Sequence, residues 1–196
     1  MKFTARANGK VNLHLGVGEV RADGYHDLST VFMAVDRPET VTLTTLEGPS
    51  RHPDASPFSF ILSMKTTYHV QEPDEDLDTP KNLAWKAVDS ICTGYMGILG
   101  QDEWREDIKP DLPMMRLEVD KTVPVAGGMA GGSADAAAAV EAISALIAHY
   151  DRPLPEELFT YLVPALGADV PFAQMGGIAL GTGRGDSLVP MTVSYT

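Results

Sequence analysis

The stretch from Pro124 to Ala137 decides the fold, and it reads Pro-Val-Ala-Gly-Gly-Met-Ala-Gly-Gly-Ser-Ala-Asp-Ala-Ala. Four glycines fall within six positions, and an alanine-rich run follows at once and continues to about Tyr150. Glycines leave backbone N–H groups uncovered by a Cβ, and the start of a helix carries the positive end of its dipole. The stretch therefore predicts a phosphate-binding loop ahead of a helix, with Ser133 at the helix cap.

Two commoner glycine loops do not fit this stretch. A Walker loop requires Lys and then Ser or Thr where Ser133 and Ala134 stand. The dinucleotide pattern Gly-x-Gly-x-x-Gly fails because Met129 follows Gly128. The remaining alternative to phosphate binding is a tight connection between a strand and a helix, in which the glycines serve packing alone.

Outward from the loop, hydrophobic periodicity predicts strands and helices without a regular alternation of the two. Arg21-Ala22-Asp23-Gly24 has the signature of a tight turn between the first two strands. Predicted strands cover Lys2–Val17, Val31–Leu46, Phe58–Met64 and Met114–Val119, with a further strand and turn in Gly176–Gly185. Predicted helices cover Asn82–Leu99, the alanine-rich run, and Pro155–Leu166, while 48–57 and 102–113 read as loops. This order favours an α+β fold.

Composition narrows the class of protein. The 196 residues suffice for one domain, or for one domain and the beginning of a second. A formal net charge of −12 argues against a nucleic-acid partner, because such proteins bind phosphates with Lys and Arg. The single cysteine, Cys92, excludes an intrachain disulfide, and the sequence has neither a signal-peptide pattern nor a run of about 20 apolar residues. We expect a cytoplasmic protein with no membrane partner and no obligate protein partner.

Several segments together resemble one known family. The stretch Pro124–Ala137 resembles the phosphate loop of the GHMP kinases, which phosphorylate small molecules. Within that superfamily, the order and the residues of the other segments are similar to those of the 4-diphosphocytidyl-2-C-methyl-D-erythritol kinases. These segments are Gly9–Leu15, Asp23–Leu28, Thr79–Ala84, Gly167–Phe172 and Gly176–Asp186. The resemblance spans nearly the whole chain.

The resemblance implies a fold and an activity. It implies a GHMP kinase N-terminal domain over residues 1–190, with a mixed or antiparallel sheet packed with helices and the glycine loop before a central helix. Residues 191–196 would begin the link to a C-terminal domain that this chain lacks. It also implies ATP-dependent phosphorylation of a hydroxyl on a small molecule that carries a cytidine diphosphate group, in isoprenoid precursor synthesis by the non-mevalonate pathway.

The resemblance also assigns roles to residues. Asp169 would act as the base and Lys10 would contact both Asp169 and the transferred phosphate. Asn12, Tyr25 and His26 would bind the substrate, with Tyr25 and His26 on the cytosine ring. ATP would be bound by Asn82, Lys121, Pro124, Val125, Ala126, Gly127, Gly128, Met129, Ala130, Gly131, Gly132, Ser133 and Ala134. Mg²⁺ would accompany ATP, held mainly by phosphate oxygens, with Ser133 as the candidate side-chain ligand.

Each assignment has a structural alternative. Asp169 could cap the turn before Pro171, and Lys10 could point into solvent. Lys121 could be a solubilising charge at a strand end, and the Tyr-His pair could be strand surface. The loop also departs from the family, because Ala134 follows Ser133 where many relatives have a second Ser.

Two other functions stay open on the sequence. One is a GHMP kinase with a different acceptor alcohol, against which the Tyr25-His26 pair argues. The other is a nucleotide-binding module without catalytic activity.

Overall fold

A computed structural model describes residues 1–22, 24–47, 59–99, 112–150 and 154–192. The strands are β1 (Lys2–Val20), β2 (His26–Thr45), β3 (Ile61–Tyr68), β4 (Met115–Lys121), β5 (Ile178–Gly183) and β6 (Ser187–Pro190). The helices are α1 (Leu83–Leu99), α2 (Gly131–His149), α3 (Glu156–Leu166) and α4 (Val170–Met175). The predicted strands and helices are all present, and the sequence patterns missed α4 and β6. The predicted loop 48–57, most of the loop 102–113 and Asp23 of the predicted turn lie outside the described residues.

The strands form one mixed sheet organised around β2. β1 pairs antiparallel with one edge of β2, and β4 and β5 share the other edge. β6 pairs antiparallel with β5, whereas β3 pairs parallel with β4. The sheet and its helices confirm the α+β class and the mixed sheet expected from the sequence.

β1 is irregular where it passes the glycine loop. Its register against β2 shifts between Asn8 and Lys10 and again between Asn12 and His14. Such bulges bend a strand and redirect its side chains. A Cβ on Gly9 would lie 2.8 Å from Val123 Cγ2, so only glycine allows the strand to pass this close. The short segment that carries Lys10 and Asn12 therefore lies between two bulges of β1.

Helix α2 is the centre of the core. It contacts α1, α3 and α4 on the helical side and β1 and β2 of the sheet. Its alanines have almost no side chain to keep neighbours away, and the run Ala136–Val140 is fully buried. Although α2 is long and apolar enough to cross a membrane, 61% of its most apolar window is buried inside the protein. This burial identifies it as the core helix of a globular domain.

The start of α2 differs from the prediction. The helix begins at Gly131, with Ala130 at the N-cap, so Ser133 lies inside the first turn and the assignment of Ser133 as the cap is wrong. Ala130 has φ 53°, in the left-handed region, and its side chain offers no capping hydrogen bond. The backbone therefore turns sharply into the helix three residues earlier than the hydroxyl suggested.

Candidate active site

The loop between β4 and α2 has an unusual backbone. Positive φ angles occur at every second residue, at Ala126 (58°), Gly128 (72°) and Ala130 (53°). Backbone that alternates between left- and right-handed residues turns neighbouring N–H groups toward one side, which makes a concave site for anions. The loop ends at the N-terminus of α2, where the helix dipole adds to this attraction.

A cleft of about 290 Å³ lies against this loop. Asn82 and Leu83 line it from the start of α1, and Leu77 from the segment before that helix. Lys121 and Asp135 line it from β4 and α2. Most of the residues predicted to bind ATP are in this lining, including Pro124–Gly128 and Ala130–Gly132. Met129, Ser133 and Ala134 were also predicted to bind ATP and are outside the lining. The cleft is therefore a nucleotide-site candidate at the position that the sequence indicated.

Asn82 is held in place by its own helix. Its Oδ1 accepts a hydrogen bond from the backbone N–H of Ala84 at 2.9 Å, and its Nδ2 donates to the carbonyl oxygen of Leu77 at 3.2 Å. The first bond is the N-cap interaction that asparagine commonly makes. Asn82 thus fixes the beginning of α1 and, with it, one wall of the cleft.

Lys121 is buried in an ion network. Its Nζ lies 2.6 Å from Asp135 Oδ2 and 3.3 Å from Glu39 Oε1, and its side chain is 4% exposed. The alternative of a solubilising charge at a strand end is therefore wrong. Burial opposes the charge on Lys121, but Asp135 and then Glu39 outweigh it and raise the pKa of Lys121. The ammonium thus stays protonated at the edge of the cleft.

The two carboxylates of this network were missed by the sequence analysis. Burial raises the pKa of Asp135 from 3.8 to about 7. The positive charge of Lys121 lowers this pKa, and the negative charge of Glu39 raises it. Asp135 Oδ1 is buried and has no hydrogen-bond partner among the described residues. Asp135 could have been identified from the sequence, because it is an acidic residue inside an alanine run. Glu39 lies in a strand, and nothing in the sequence around it pointed to a functional role.

Lys10 and Asp169 meet beside the loop. Lys10 Nζ lies 3.6 Å from Asp169 Oδ2 and donates to Asn12 Oδ1 at 2.7 Å. Lys10 is 8% exposed, so the solvent-facing alternative is wrong. Asp169 occupies the N-cap position of α4, but its side chain makes no capping hydrogen bond. The carboxylate is thus paired with Lys10, as the resemblance implied, and one third of its side-chain surface remains accessible.

Neighbours that the sequence analysis did not identify fix this pair. The Lys10 ammonium lies 5.3 Å from the centre of the Phe32 ring, and Phe32 stacks on Phe172 with ring centres 4.9 Å apart. Asn12 Nδ2 donates to Thr30 Oγ1 at 2.6 Å, and that hydroxyl donates to the carbonyl oxygen of His14 at 2.7 Å. An ammonium over an aromatic face is attracted to it. The lysine is therefore oriented from two sides.

A backbone hydrogen bond joins the pair to the loop. The N–H of Lys10 donates to the carbonyl oxygen of Met129 at 2.9 Å. Met129 belongs to the glycine loop, although it is outside the cleft lining. The strand that carries the lysine is therefore held directly against the candidate phosphate site.

Tyr25 and His26 lie elsewhere on the β1–β2 hairpin. Lys10 pairs with Ala34 of β2, whereas His26 is the first residue of β2. Ala34 and His26 are eight positions apart, which corresponds to about 26 Å of strand at about 3.3 Å per residue. Tyr25 is 54% exposed, and its ring lies 4.2 Å from the Arg184 guanidinium carbon. The structure thus brings Lys10, Asn12 and Asp169 together and places Tyr25 and His26 near the hairpin turn.

Comparisons with known proteins agree on one family. Residues 82–177 match the GHMP kinases N terminal domain. A 4-diphosphocytidyl-2-C-methyl-D-erythritol kinase from Corynebacterium efficiens is 48% identical over 191 residues, which cover 97% of this chain and 54% of the relative. A solved structure of a 4-(cytidine 5'-diphospho)-2C-methyl-D-erythritol kinase has a TM-score of 0.61 and 29% identity, and covers 97% of this chain and 56% of that chain.

The same fold occurs in a protein named for a different reaction. A mevalonate diphosphate decarboxylase from Legionella pneumophila has a TM-score of 0.60 at 16% identity, and covers 100% of this chain and 55% of that chain. At this identity the likeness concerns the fold alone. In each of these comparisons the chain spans about half the length of the relative it matches.

Proposed function

Because this chain carries the N-terminal domain of a GHMP kinase, we propose that it is the ATP-binding and catalytic part of a small-molecule kinase. The acceptor is a hydroxyl of 4-diphosphocytidyl-2-C-methyl-D-erythritol, in cytoplasmic isoprenoid precursor synthesis by the non-mevalonate route. Relatives at 39–48% identity that carry this name support the choice of substrate. We further propose that residues 1–190 form this domain.

One observation carries the proposal. Lys10 and Asp169 form an ion pair, and the backbone of Lys10 is hydrogen-bonded to the loop that lines the cleft. Phosphoryl transfer needs little covalent chemistry from the protein, since positioning and charge stabilisation supply most of the catalysis. A cationic lysine between a phosphate loop and a carboxylate meets both needs.

The pair has distinct roles in the transfer. Asp169 accepts the proton of the attacking hydroxyl while the hydroxyl oxygen forms its bond to the terminal phosphorus of ATP and ADP leaves. Lys10 holds the Asp169 carboxylate in place through their ion pair and neutralises the charge that develops on the transferred group.

The nucleotide and its metal ion fit the residues that are present. The loop offers bare amides at a helix N-terminus, and a Cβ on Gly127 would lie 3.1 Å from the carbonyl oxygen of Pro124, so the tight loop depends on glycine there. Mg²⁺ supplies additional charge for the phosphates when bound, and Ser133 is the candidate side chain for it. Within the described residues, no cluster of three His, Cys, Asp or Glu side chains could hold a metal by itself.

The substrate extends along the β1–β2 hairpin. Asn12 is next to Lys10, near the reacting hydroxyl, and Tyr25 and His26 hold the cytosine ring near the hairpin turn. The length of hairpin between these residues requires an extended substrate, and a cytidine diphosphate linked to a short polyol has that shape. The diphosphate then lies between the two groups of side chains.

Ligand-dependent melting tests both halves of the site. Mg²⁺-ATP and, separately, cytidine diphosphate are expected to raise the melting temperature of this chain, because each binds only the folded state. Stabilisation by ATP without stabilisation by cytidine diphosphate would favour a GHMP kinase with another acceptor. A chain that neither ligand stabilises would contradict the proposal.

Turnover separates an enzyme from a binding module. The chain and the full-length Corynebacterium efficiens kinase are assayed side by side for ATP-dependent phosphorylation of the proposed substrate. Binding of both ligands by this chain, with turnover only by the relative, would assign this chain a binding role without catalysis.

A further inference from the structure

Glu39 is a fully buried carboxylate with no part in the transfer described above. It lies in β2, far in sequence from the glycine loop, and has 0% exposed surface. Buried carboxylates are rare unless they are paired and hydrogen-bonded, so each of its contacts is informative.

Its hydrogen bonds lead to the residues that precede the loop. Glu39 Oε2 accepts from the backbone N–H of Thr122 at 3.1 Å, and Oε1 accepts from the N–H of Val123 at 3.0 Å. Thr122 Oγ1 also donates to the carbonyl oxygen of Pro38 at 3.0 Å. The chain entering the loop is thus fastened to β2 at two consecutive residues.

The same carboxylate also abuts the residue that follows the loop. A Cβ on Gly131 would lie 3.2 Å from Glu39 Oε1 and 3.1 Å from the Val123 side chain. Val123 and Gly131 are the two ends of the loop 124–130, so Glu39 lies where the loop closes on itself.

Lys121 extends this arrangement into α2. Its ammonium has three hydrogens, and Glu39 and Asp135 accept two of them. Lys121 is also part of the cleft lining, and its third hydrogen remains for a bound group. The position of this donor depends on the two carboxylates.

We propose that Glu39 is a positioning residue for nucleotide binding, which holds both ends of the loop 124–130 and fixes Lys121 at the cleft. This inference rests on the proposed function in taking the bound group to be ATP. Glu39 acts through the loop amides and Lys121 and does not touch the nucleotide itself. A loop with alternating positive φ angles is costly to hold, so a buried anchor at its base preorganises the amides before ATP arrives.

Glu39→Gln tests this role. The amide side chain has one acceptor oxygen, so its NH₂ group faces a backbone N–H that the carboxylate had accepted. We expect the dissociation constant for Mg²⁺-ATP, measured by calorimetry, to rise about tenfold or more, as loss of a charge-assisted hydrogen bond implies. The dissociation constant for cytidine diphosphate is expected to stay within about twofold, since that ligand binds along the hairpin. Amide hydrogen exchange at Thr122 and Val123 should be faster without any ligand.

Glu118→Gln on β4 is the matched control, since Glu118 lies in the neighbouring strand and is half-buried. It should change neither constant. ATP affinity equal to wild type in folded Glu39→Gln, or parallel weakening of both ligands, would overturn the positioning role. If Glu39→Gln does not fold, Glu39→Asp, which withdraws the carboxylate by one methylene, must give the selective loss of ATP. A wild-type chain that binds no ATP would instead overturn the proposed function.

Discussion

Asp169 and Lys10 carry the proposed chemistry at the scale of single residues. Their ion pair is 3.6 Å long and lies beside an aromatic pair formed by Phe32 and Phe172. Lys10 was identifiable from the sequence because it stands in a recognisable motif, and so was Asp169. Phe32 was not, because an aromatic residue in a strand is usually core packing and its contact with Lys10 depends on the fold.

Replacing the carboxylate tests its role as the base. We expect Asp169→Asn to lower kcat for phosphoryl transfer by about 10²-fold or more, because an amide cannot accept the hydroxyl proton. Affinity for ATP should change by no more than a few-fold, since Asp169 does not line the cleft. Asp120→Asn, at an exposed position of β4, is the control for steady-state assays. Unchanged kcat would remove Asp169 from the mechanism.

The raised pKa of Asp135 predicts a specific pH dependence of stability. The folded protein holds this proton with a pKa of about 7, against 3.8 ordinarily, so protonation favours folding. The contribution of Asp135 to stability is therefore fully present below about pH 4 and is lost as pH rises toward 7. Urea titrations of wild type and Asp135→Asn measure this. The difference in their free energies of unfolding, wild type minus variant, should decrease as the pH rises from 4 to 7. A difference that stays constant with pH would contradict this assignment.

Contacts between residues that are far apart in the chain could not be predicted from the sequence. Glu39 and Lys121 are 82 positions apart, yet they share a buried ion network. Periodicity describes only neighbouring positions, so the sequence indicated neither Glu39 nor the burial of Lys121. Asp135 lies within the glycine motif itself, but its charge gave no indication of which group it would meet.

At the scale of elements, the start of α2 combines a helix N-terminus with a strained loop. The sequence predicted the loop and the helix, because glycine clusters and alanine runs have strong local preferences. It misplaced the cap at Ser133, because a capping hydroxyl is a weaker signal than the backbone turn at Ala130. It also missed α4, which has six residues and a proline in its first turn, too short for a periodic pattern.

The left-handed N-cap predicts an unusual response to glycine. Ala130→Gly should leave the free energy of unfolding unchanged or raise it by up to about 1 kcal/mol, because relief of the left-handed strain offsets the added freedom of the unfolded chain. The same change at Ala138, inside α2 and fully buried, should cost about 1 kcal/mol or more. Denaturant titrations of both variants measure this contrast. Equal destabilisation would show that Ala130 carries no strain.

At the scale of the whole molecule, the candidate site is assembled from parts spread along the chain. The cleft takes walls from the start of α1, the end of β4 and the start of α2, while the ion pair comes from β1 and the residue before α4. The α+β class and the order of the longer elements could be predicted, because each of these elements has its own pattern, whereas the short α4 and β6 were missed. The arrangement along the β1–β2 hairpin could not, because it depends on bulges in β1 that leave no periodic signal.

The central claim is that the amides of the glycine loop bind the phosphates of ATP next to Lys10. Gly132 offers the most direct test, because it lines the cleft and a Cβ there would meet only Leu83 Cδ1, at 3.7 Å. Gly132→Ala therefore leaves the fold intact and should raise the free energy of unfolding slightly, since alanine favours the helix by up to about 1 kcal/mol.

Calorimetric titration of Mg²⁺-ATP into wild type and Gly132→Ala measures the affinity of each protein for the nucleotide and so tests the claim. The added methyl group occupies part of the cleft in the first turn of α2, so we predict binding weakened by about tenfold or more in a protein that melts no lower than wild type. Equal affinity in the two proteins would mean that the phosphates do not lie on this loop.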